Sequence, residues 1–354
     1  MYHNFVVPLT NMSGKKYILV TGGAGYIGSH TVVQLVNTGF IPVIVDDLRN
    51  ANPIVLDGLR AILGFDPIIE RIDCCDKAAL KGVFQSYPLH GIIHFAADKA
   101  VGESVANPLK YYHNNIAGLV NVCELAIAFE VNDVVFSSSC TVYGEPEGIK
   151  EVTEEMAGTK AESPYGFTKI IGEHVLKDTQ RAFPQLRVIN LRYFNPVGAH
   201  PSAEIGEFPI GKPNNLLPFI TQTAIGKLDR LTIFGNDYPT QDGTCIRDYI
   251  HVVDLASAHV AALQFLNQKE GPVLEAINIG TGKGTSVLEM INVFEKVSQH
   301  QLKWEFGTRR PGDVIEIYAN AEKAEKLLGW KAKLTVEDAV RDAWNWEMKL
   351  AKHA

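Results

Sequence analysis

The sequence predicts a doubly wound α/β protein, a parallel sheet covered by helices on both faces, followed by a smaller mixed α/β unit. Three observations predict it. Short apolar runs alternate with helix-period stretches from Tyr17 to about Phe194. Those runs are nearly continuous in Val, Ile and Leu, as strands buried on both faces must be. After Asn195 the texture changes, and residues 196–218 are rich in Pro, Gly and Asn. At roughly 150 residues per domain, a length of 354 residues gives room for two units and a full core without staples.

Taken in order, Tyr17 to Gly22 reads as the first strand and residues 25–37 as the first helix. Ile41 to Asp46 predicts a second strand and Ile54 to Leu63 a second helix. Further strands are expected at Ile68–Ile72, Gly91–Phe95, Asp133–Ser138 and Arg187–Phe194, with a long helix between Pro108 and Glu130. Crossovers between parallel strands should be right-handed. Later come short isolated strands at Leu231–Phe234, Ile277–Ile279 and Leu302–Phe306, and helices near Asp254–Leu266 and Val287–Val297. Thr335 and Asp338 stand in capping-box spacing before the last helix. Its Val336, Ala339, Val340, Ala343 and Trp344 share one face, which is expected to pack.

Composition narrows the function. The 33 Lys and Arg against 40 Asp and Glu leave a formal charge of −7. An acidic chain without a basic stripe is a poor ligand for nucleic acid or an anionic membrane, so neither is expected as a partner. With 46% hydrophobic and 21% charged residues, the chain has the profile of a soluble globular protein. No run approaches the roughly 18 apolar residues of a spanning helix. Residues 1–14 lack Lys and Arg, and Pro8 interrupts their short apolar stretch, so they read as a frayed extension rather than a secretory signal. Five cysteines (Cys74, Cys75, Cys123, Cys140 and Cys245) show no CxxC spacing. That argues against a disulfide framework or a metal site and for a reducing cytoplasm.

The first strand runs into Gly22-Gly-Ala-Gly25-Tyr26-Ile27-Gly28, which satisfies both GxxGxxG and GxGxxG. Glycine is needed there because the chain must turn tightly, approach a pyrophosphate and let the helix sit on the strand. The helix N-terminus then offers free N–H groups to the phosphates. Asp46 closes the second strand at about the 20-residue distance where an acid takes both ribose hydroxyls and repels a 2′-phosphate, which favours NAD over NADP. Asp73, past the third strand, reads equally as an adenine contact or a solvated strand end.

Ser137-Ser138-Ser139 ends a strand, and Tyr165 and Lys169 stand at i, i+4 on a predicted helix. A phenol with a pKa of about 10 acts as a base only beside a cation that stabilises phenolate. Lys169 can supply one, as can an oxidised nicotinamide, and a serine hydroxyl from the strand end can relay the proton. The histidines offer no rival chemistry: His94 follows two isoleucines as a core residue would, and His251 and His259 lack ligand spacing.

The blocks TGGAGYIGSH, HFAADKAVGES, FSSSCTVYG, SPYGFTK, LRYFNPVGAH, FGNDYPTQDGTCIRDYIHV and RRPGD resemble the UDP-glucose 4-epimerase family of extended short-chain dehydrogenases/reductases. The resemblance runs from about Lys15 to the C-terminal helix. It implies a doubly wound parallel Rossmann sheet with a smaller mixed α/β C-terminal substrate domain. It implies Tyr165 as catalytic base, Lys169 as its cationic partner and Ser139 as proton relay. NAD, held tightly and not consumed, would contact Gly22, Gly25, Tyr26, Ile27, Gly28, Asp46, Asp73, Phe95, Lys99, Asn114 and Phe194. A UDP-hexose would be held by Lys99, Ser139, Thr141, Tyr165, Asn195, Asn215, Thr232, Ile233, Phe234, Arg247, Arg310 and Asp313. Two guanidinium forks suit a pyrophosphate. The implied reaction is oxidation at C4 to a keto sugar and reduction on the opposite face, interconverting UDP-galactose and UDP-glucose. Family members are commonly homodimers packed through two helices, which 108–130 and 163–181 supply here. The expected division is 1–14, an N-terminal extension; 15–194, the NAD-binding domain; and 195–354, the UDP-sugar domain, with some C-terminal segments returning to the first.

Rival readings remain. Dehydratases of nucleotide sugars carry an Asp-Glu pair where this chain has Cys140-Thr141, which argues against elimination. A 4-epimerase of UDP-GlcNAc, UDP-glucuronate or a UDP-pentose shares the hydride step. A dehydrogenase releasing the keto product and a silent NAD-binding sensor are further alternatives. Two departures stand out. Asp98 occupies a position where many relatives have Leu, and Ile317 aligns with a sugar-pocket wall position that bears on N-acetylated hexoses.

Overall fold

The computed structural model describes residues 16–145, 148–158, 160–310 and 313–353. The expected N-terminal extension lies outside them. Seven strands form one sheet: β1 (Tyr17–Thr21), β2 (Ile41–Val45), β3 (Ile68–Glu70), β4 (Leu89–His94), β5 (Asp133–Ser139), β6 (Arg187–Tyr193) and β7 (Val273–Ile279). All are parallel, in the order β7-β6-β5-β4-β1-β2-β3. Strand order reverses between β1 and β4, which opens a crevice at the carboxyl ends of those strands, where doubly wound sheets bind ligands.

The helices are α1 (Tyr26–Asn37), α2 (Ile54–Leu63), α3 (Lys77–Ser86), α4 (Val101–Ala106), α5 (Pro108–Ala128) and α6 (Pro164–Ala182). They are followed by α7 (Leu216–Ala224), α8 (Val252–Asn267), α9 (Val287–Ser298), α10 (Glu322–Leu328) and α11 (Val336–His353). Side chains alternate across each strand, so Ile18 and Val20 enter one core and Leu19 the other. The first core packs Val32 and Leu35 of α1, Leu59 of α2 and Leu255 and Leu263 of α8 against Ile44, Ile93 and Val135. The second packs Leu80 and Phe84 of α3, Leu119 and Val122 of α5 and Leu176 of α6 against Val43, Ile92 and Val134.

A third core joins α7, α9 and α11 through Leu217, Ile220, Met290, Phe294, Val340 and Trp344. The apolar stripe of the last helix does pack, and its capping box forms: Asp338 N donates to Thr335 Oγ1 at 3.2 Å and Thr335 N to Asp338 Oδ2 at 2.9 Å. Short ladders complete this part, pairing Leu231–Phe234 with Trp304–Gly307 and Ile246–Arg247 with Glu316–Ala319. Among the described residues no helix is long and apolar enough to cross a membrane.

Two expectations need correction. The strand expected at Ile277–Ile279 is not isolated but the end of β7, Val273–Ile279, paired residue for residue with β6. It is an edge strand with only its last three residues buried, so Glu275 stands in its half-buried part, and the buried Asn278, bonded to Tyr143 and the Val152 carbonyl, further breaks the apolar run. The Pro- and Asn-rich stretch also gives way to a helix, α7, whose Pro218 lies in the first turn, where a missing N–H costs nothing.

Candidate active site

The glycine loop follows β1 directly. Gly22 has φ +68°, and a Cβ there would stand 2.8 Å from the Ala96 nitrogen. A Cβ on Gly28 would stand 2.3 Å from the Gly22 carbonyl oxygen, so the helix could not approach the loop. Gly25 caps α1 without any side-chain acceptor, which leaves the first-turn N–H groups, those of Tyr26 and Ile27 among them, available to an anion. The Tyr26 hydroxyl is committed elsewhere, donating to the Gly198 carbonyl at 2.6 Å, so this residue offers its backbone. Asp46 accepts from Ala24 N at 3.0 Å and Leu48 N at 2.9 Å, which fixes the acid against the loop. Burial raises its pKa, and the two backbone donors pull it back. Leu48 itself has φ 63°, a left-handed conformation unusual for a branched residue.

Arg49 gathers two expected cofactor residues. It lies 3.4 Å from Asp73 Oδ2 and donates to the Asn114 side-chain oxygen. Phe95 lies against His259, ring centres 4.6 Å apart and planes tilted by 48°. Glu207 gathers Lys99, expected at both cofactor and substrate, and Asn215, expected at the substrate, lying 3.6 Å from the Lys99 ammonium and accepting from Asn215 at 2.5 Å. Asp98 is buried, accepts from Asn50 at 2.8 Å and exchanges backbone bonds with the Asn115 amide. It therefore ties the loop after β4 to the loop after β2 and does not face solvent.

The chemistry-bearing residues meet at the end of β5. Pro164 opens α6, and Ser163 caps it by accepting from Gly166 N at 3.1 Å. That cap fixes the first turn, which carries Tyr165, and Lys169 follows one turn later. Both are buried, at 8% and 4% exposure. Lys169 donates to the Ser137 carbonyl at 2.6 Å. Burial lowers its pKa to about 8. Burial also raises the Tyr165 pKa, with a hydrogen bond to Ser139 opposing the rise. A phenol so placed becomes a base only while positive charge stands beside it.

The residues expected at the phosphate end also converge. Asp313 Oδ1 lies 2.6 Å from Arg310 and 3.9 Å from Arg247, and so brings the two guanidinium groups to one place. The Arg310 guanidinium lies 5.6 Å from the ring of Phe234, which is exposed. Thr232 is half-buried, whereas Ile233 points into the third core and has only its backbone to offer a ligand. Thr141 Oγ1 is buried with no partner. Asn195 N donates to the Asp248 carbonyl at 3.0 Å, and Phe194 is buried. Ile317 pairs with Arg247 across a short ladder and packs with Val142, Tyr143 and Phe194.

Asp248 was not singled out in the sequence. It is fully buried and accepts from Thr281 N at 2.9 Å, Gly282 N at 3.1 Å and Ala319 N at 3.2 Å. It thereby anchors the strand that carries Arg247. In the sequence it is an acid between Arg247 and the run Tyr249-Ile-His-Val-Val, a context with no pattern of its own.

The profile of the NAD dependent epimerase/dehydratase family matches residues 18–280. This chain belongs to that family. It is 50% identical over 330 residues to the UDP-glucose 4-epimerase of Bacillus subtilis, covering 93% of this chain and 96% of that one. The crystal structure of UDP-glucose 4-epimerase from Stenotrophomonas maltophila, with bound NAD and formylated UDP-arabinopyranose, superimposes with a TM-score of 0.92. It is 44% identical and covers 96% of this chain and 100% of its own. The enzyme from Bifidobacterium longum, in complex with NAD+ and UDP, gives a TM-score of 0.90 at 42% identity, with 96% and 100% covered. The residues present fit the family's cofactor. The glycine cradle admits no Cβ at positions 22 and 28, the α1 N-terminus lacks a side-chain cap, and Asp46 stands at the end of β2.

Proposed function

We propose that this chain is an isomerase that interconverts UDP-galactose and UDP-glucose by inverting C4 of the hexose through a 4-keto sugar. The observation that carries the reading is the buried Ser139, Tyr165 and Lys169 group, set at the carboxyl end of the same sheet as the glycine loop. Tyr165 takes the proton of the sugar 4′-hydroxyl, Ser139 shares that hydroxyl, and the Lys169 ammonium stabilises the phenolate. When bound, NAD accepts the C4 hydride and returns it to the opposite face of the sugar. Tyr165 then gives its proton back to the oxygen, so the cycle is redox-neutral and the cofactor is not consumed.

Inversion requires the hexose to turn while the nucleotide stays held. Arg247 and Arg310 suit the pyrophosphate, since each offers a planar fork to anionic oxygens. Thr141, Asn195, Asn215, Phe234 and Asp313 complete the grip, with the orphaned Thr141 hydroxyl free to pair with substrate. We further propose a homodimer packed through α5 and α6, where Leu109 and Phe167 remain exposed, working in the reducing cytoplasm that five free cysteines suit.

The purified protein, incubated with UDP-galactose and no added NAD, should yield UDP-glucose to a constant ratio without net NADH. Anion-exchange chromatography reads the products. No conversion after NAD is supplied would sink the hexose reading. UDP-GlcNAc, UDP-glucuronate and UDP-pentoses would then be tried, with Ile317 as the wall residue to vary.

A further inference from the structure

The three serines that close β5 meet three residues spaced one turn apart along α6. Ser139 is the polar side chain that opposes the rise of the Tyr165 phenol's pKa. The Ser137 carbonyl accepts from Lys169 at 2.6 Å. The Ser138 hydroxyl donates to Glu173 Oε1 at 2.5 Å. Tyr165, Lys169 and Glu173 therefore line one helix face in i, i+4 steps. Glu173 is gripped from β6 by Arg192, whose Nε and Nη2 reach its two oxygens at 2.9 and 2.6 Å. Arg192 is buried in turn, donating to the Glu154 carbonyl at 2.7 Å and lying 5.5 Å from the Tyr143 ring.

We infer that Glu173 is a positioning residue for the reaction, whose carboxylate keeps the Lys169 ammonium charged beneath Tyr165. The inference rests on Tyr165 and Lys169 acting as proposed above. A lysine sealed between a helix and a sheet sheds its proton unless a negative charge stands near. Burial draws Lys169 down to about 8, and Glu173 is the group that pulls it back up. The other groups near this face bring no such charge. Phe136, 5.0 Å from the ammonium, is apolar, and Ser137 gives a carbonyl. His94 on β4 is held neutral by burial, with a pKa lowered to about 3. Burial likewise raises Tyr193 on β6 to about 12 and Cys140 to about 11, which keeps both protonated at neutral pH. Arg192 fixes the Glu173 carboxylate by two prongs, so its direction along the helix face is set.

The test uses the purified holoenzyme and three variants, E173Q, E173D and R192Q. Two readouts are taken: the pH profile of kcat, and the ultraviolet titration of Tyr165, read as the difference from Y165F. In E173Q the alkaline limb should move down by about one pH unit. The phenol should titrate higher, and KM for the UDP-sugar should hold. E173D should restore the limb. R192Q keeps the carboxylate, so its melting temperature should fall while the limb stays at or above the wild-type position. A folded E173Q with an unmoved limb overturns the inference, as does an R192Q whose limb falls like that of E173Q, since either assigns Glu173 to packing alone. Should E173Q fail to fold, E173D and R192Q still decide through the same limb. Should the wild type convert no UDP-galactose, the reaction reading fails, and the Tyr165 titration still reports on Glu173.

Discussion

The Lys169 ammonium lies 5.9 Å from the centre of the Tyr165 ring, and both side chains are buried. Burial acts on them in opposite senses. It makes the ammonium release its proton more readily and the phenol hold on more firmly. On the proposed reading, the pair serves as a base only while Lys169 keeps its charge.

Conversion should therefore fail on the alkaline side. The ammonium form is present below about 8 and lost above it, so kcat followed across pH should fall around that value. K169M should remove the limb and lower kcat by about 10²–10³-fold. The sign for folding is the reverse. A lysine at about 8 in the fold and 10.5 unfolded opposes folding below 8, and that penalty lifts as pH rises from 8 to 10.5. At neutral pH, K169M should thus melt no lower than wild type. A variant that lost both activity and stability would contradict this.

The two arginines should separate by burial. Arg247 exposes 16% of its side chain and Arg310 57%, both beside Asp313. Charge-assisted hydrogen bonds of about 1.5–3 kcal/mol put the loss of UDP affinity at about a hundredfold for R247A, with R310A nearer tenfold. Titration calorimetry with UDP measures this directly, and the NAD content should be unchanged in both. Equal losses would mean that solvent does not screen Arg310.

Acid should unfold the protein through its buried histidines. Burial holds His30 and His94 at about 3 and His259 at about 4, against 6.5 in the unfolded chain. Below 6.5 the unfolded chain binds more protons, so stability falls as pH drops towards those values. Each histidine contributes up to about 1.4 kcal/mol per pH unit. Urea midpoints taken between pH 7 and 5 should show the slope, and His259→Phe should remove one share of it. An unchanged slope in that variant would mean His259 charges within the fold.

What the sequence disclosed follows from range. Strands β1, β2, β4, β5 and β6 were legible because burial on both faces leaves nearly unbroken apolar runs, whereas of the two edge strands β3 showed through Ile68 and Ile69 and β7 only through its buried end, Ile277–Ile279. The glycine loop and the Tyr165–Lys169 step were legible because their chemistry is set by spacing within a few residues. Arg247, Arg310 and Asp313 entered only through resemblance, since strand pairing and loop closure bring them together. Arg49, Glu207 and Asp248 carry no local pattern. Each is recognisable only from the partners it gathers. The left-handed Leu48 had no signal either, because leucine is not a residue that announces such a turn.

The large sheet is finished late. Its seventh strand, Val273–Ile279, and one covering helix, Val252–Asn267, come from chain that lies beyond Asn195. A cut in the stretch between β6 and α8 would leave the upstream piece with a naked edge at Arg187–Tyr193 and an uncovered face over Ile93 and Val135. Such edges recruit other chains. The downstream piece would hold a strand with no neighbour to pair with. On the ribosome, the seven-stranded sheet therefore cannot close before the chain has been made as far as Ile279.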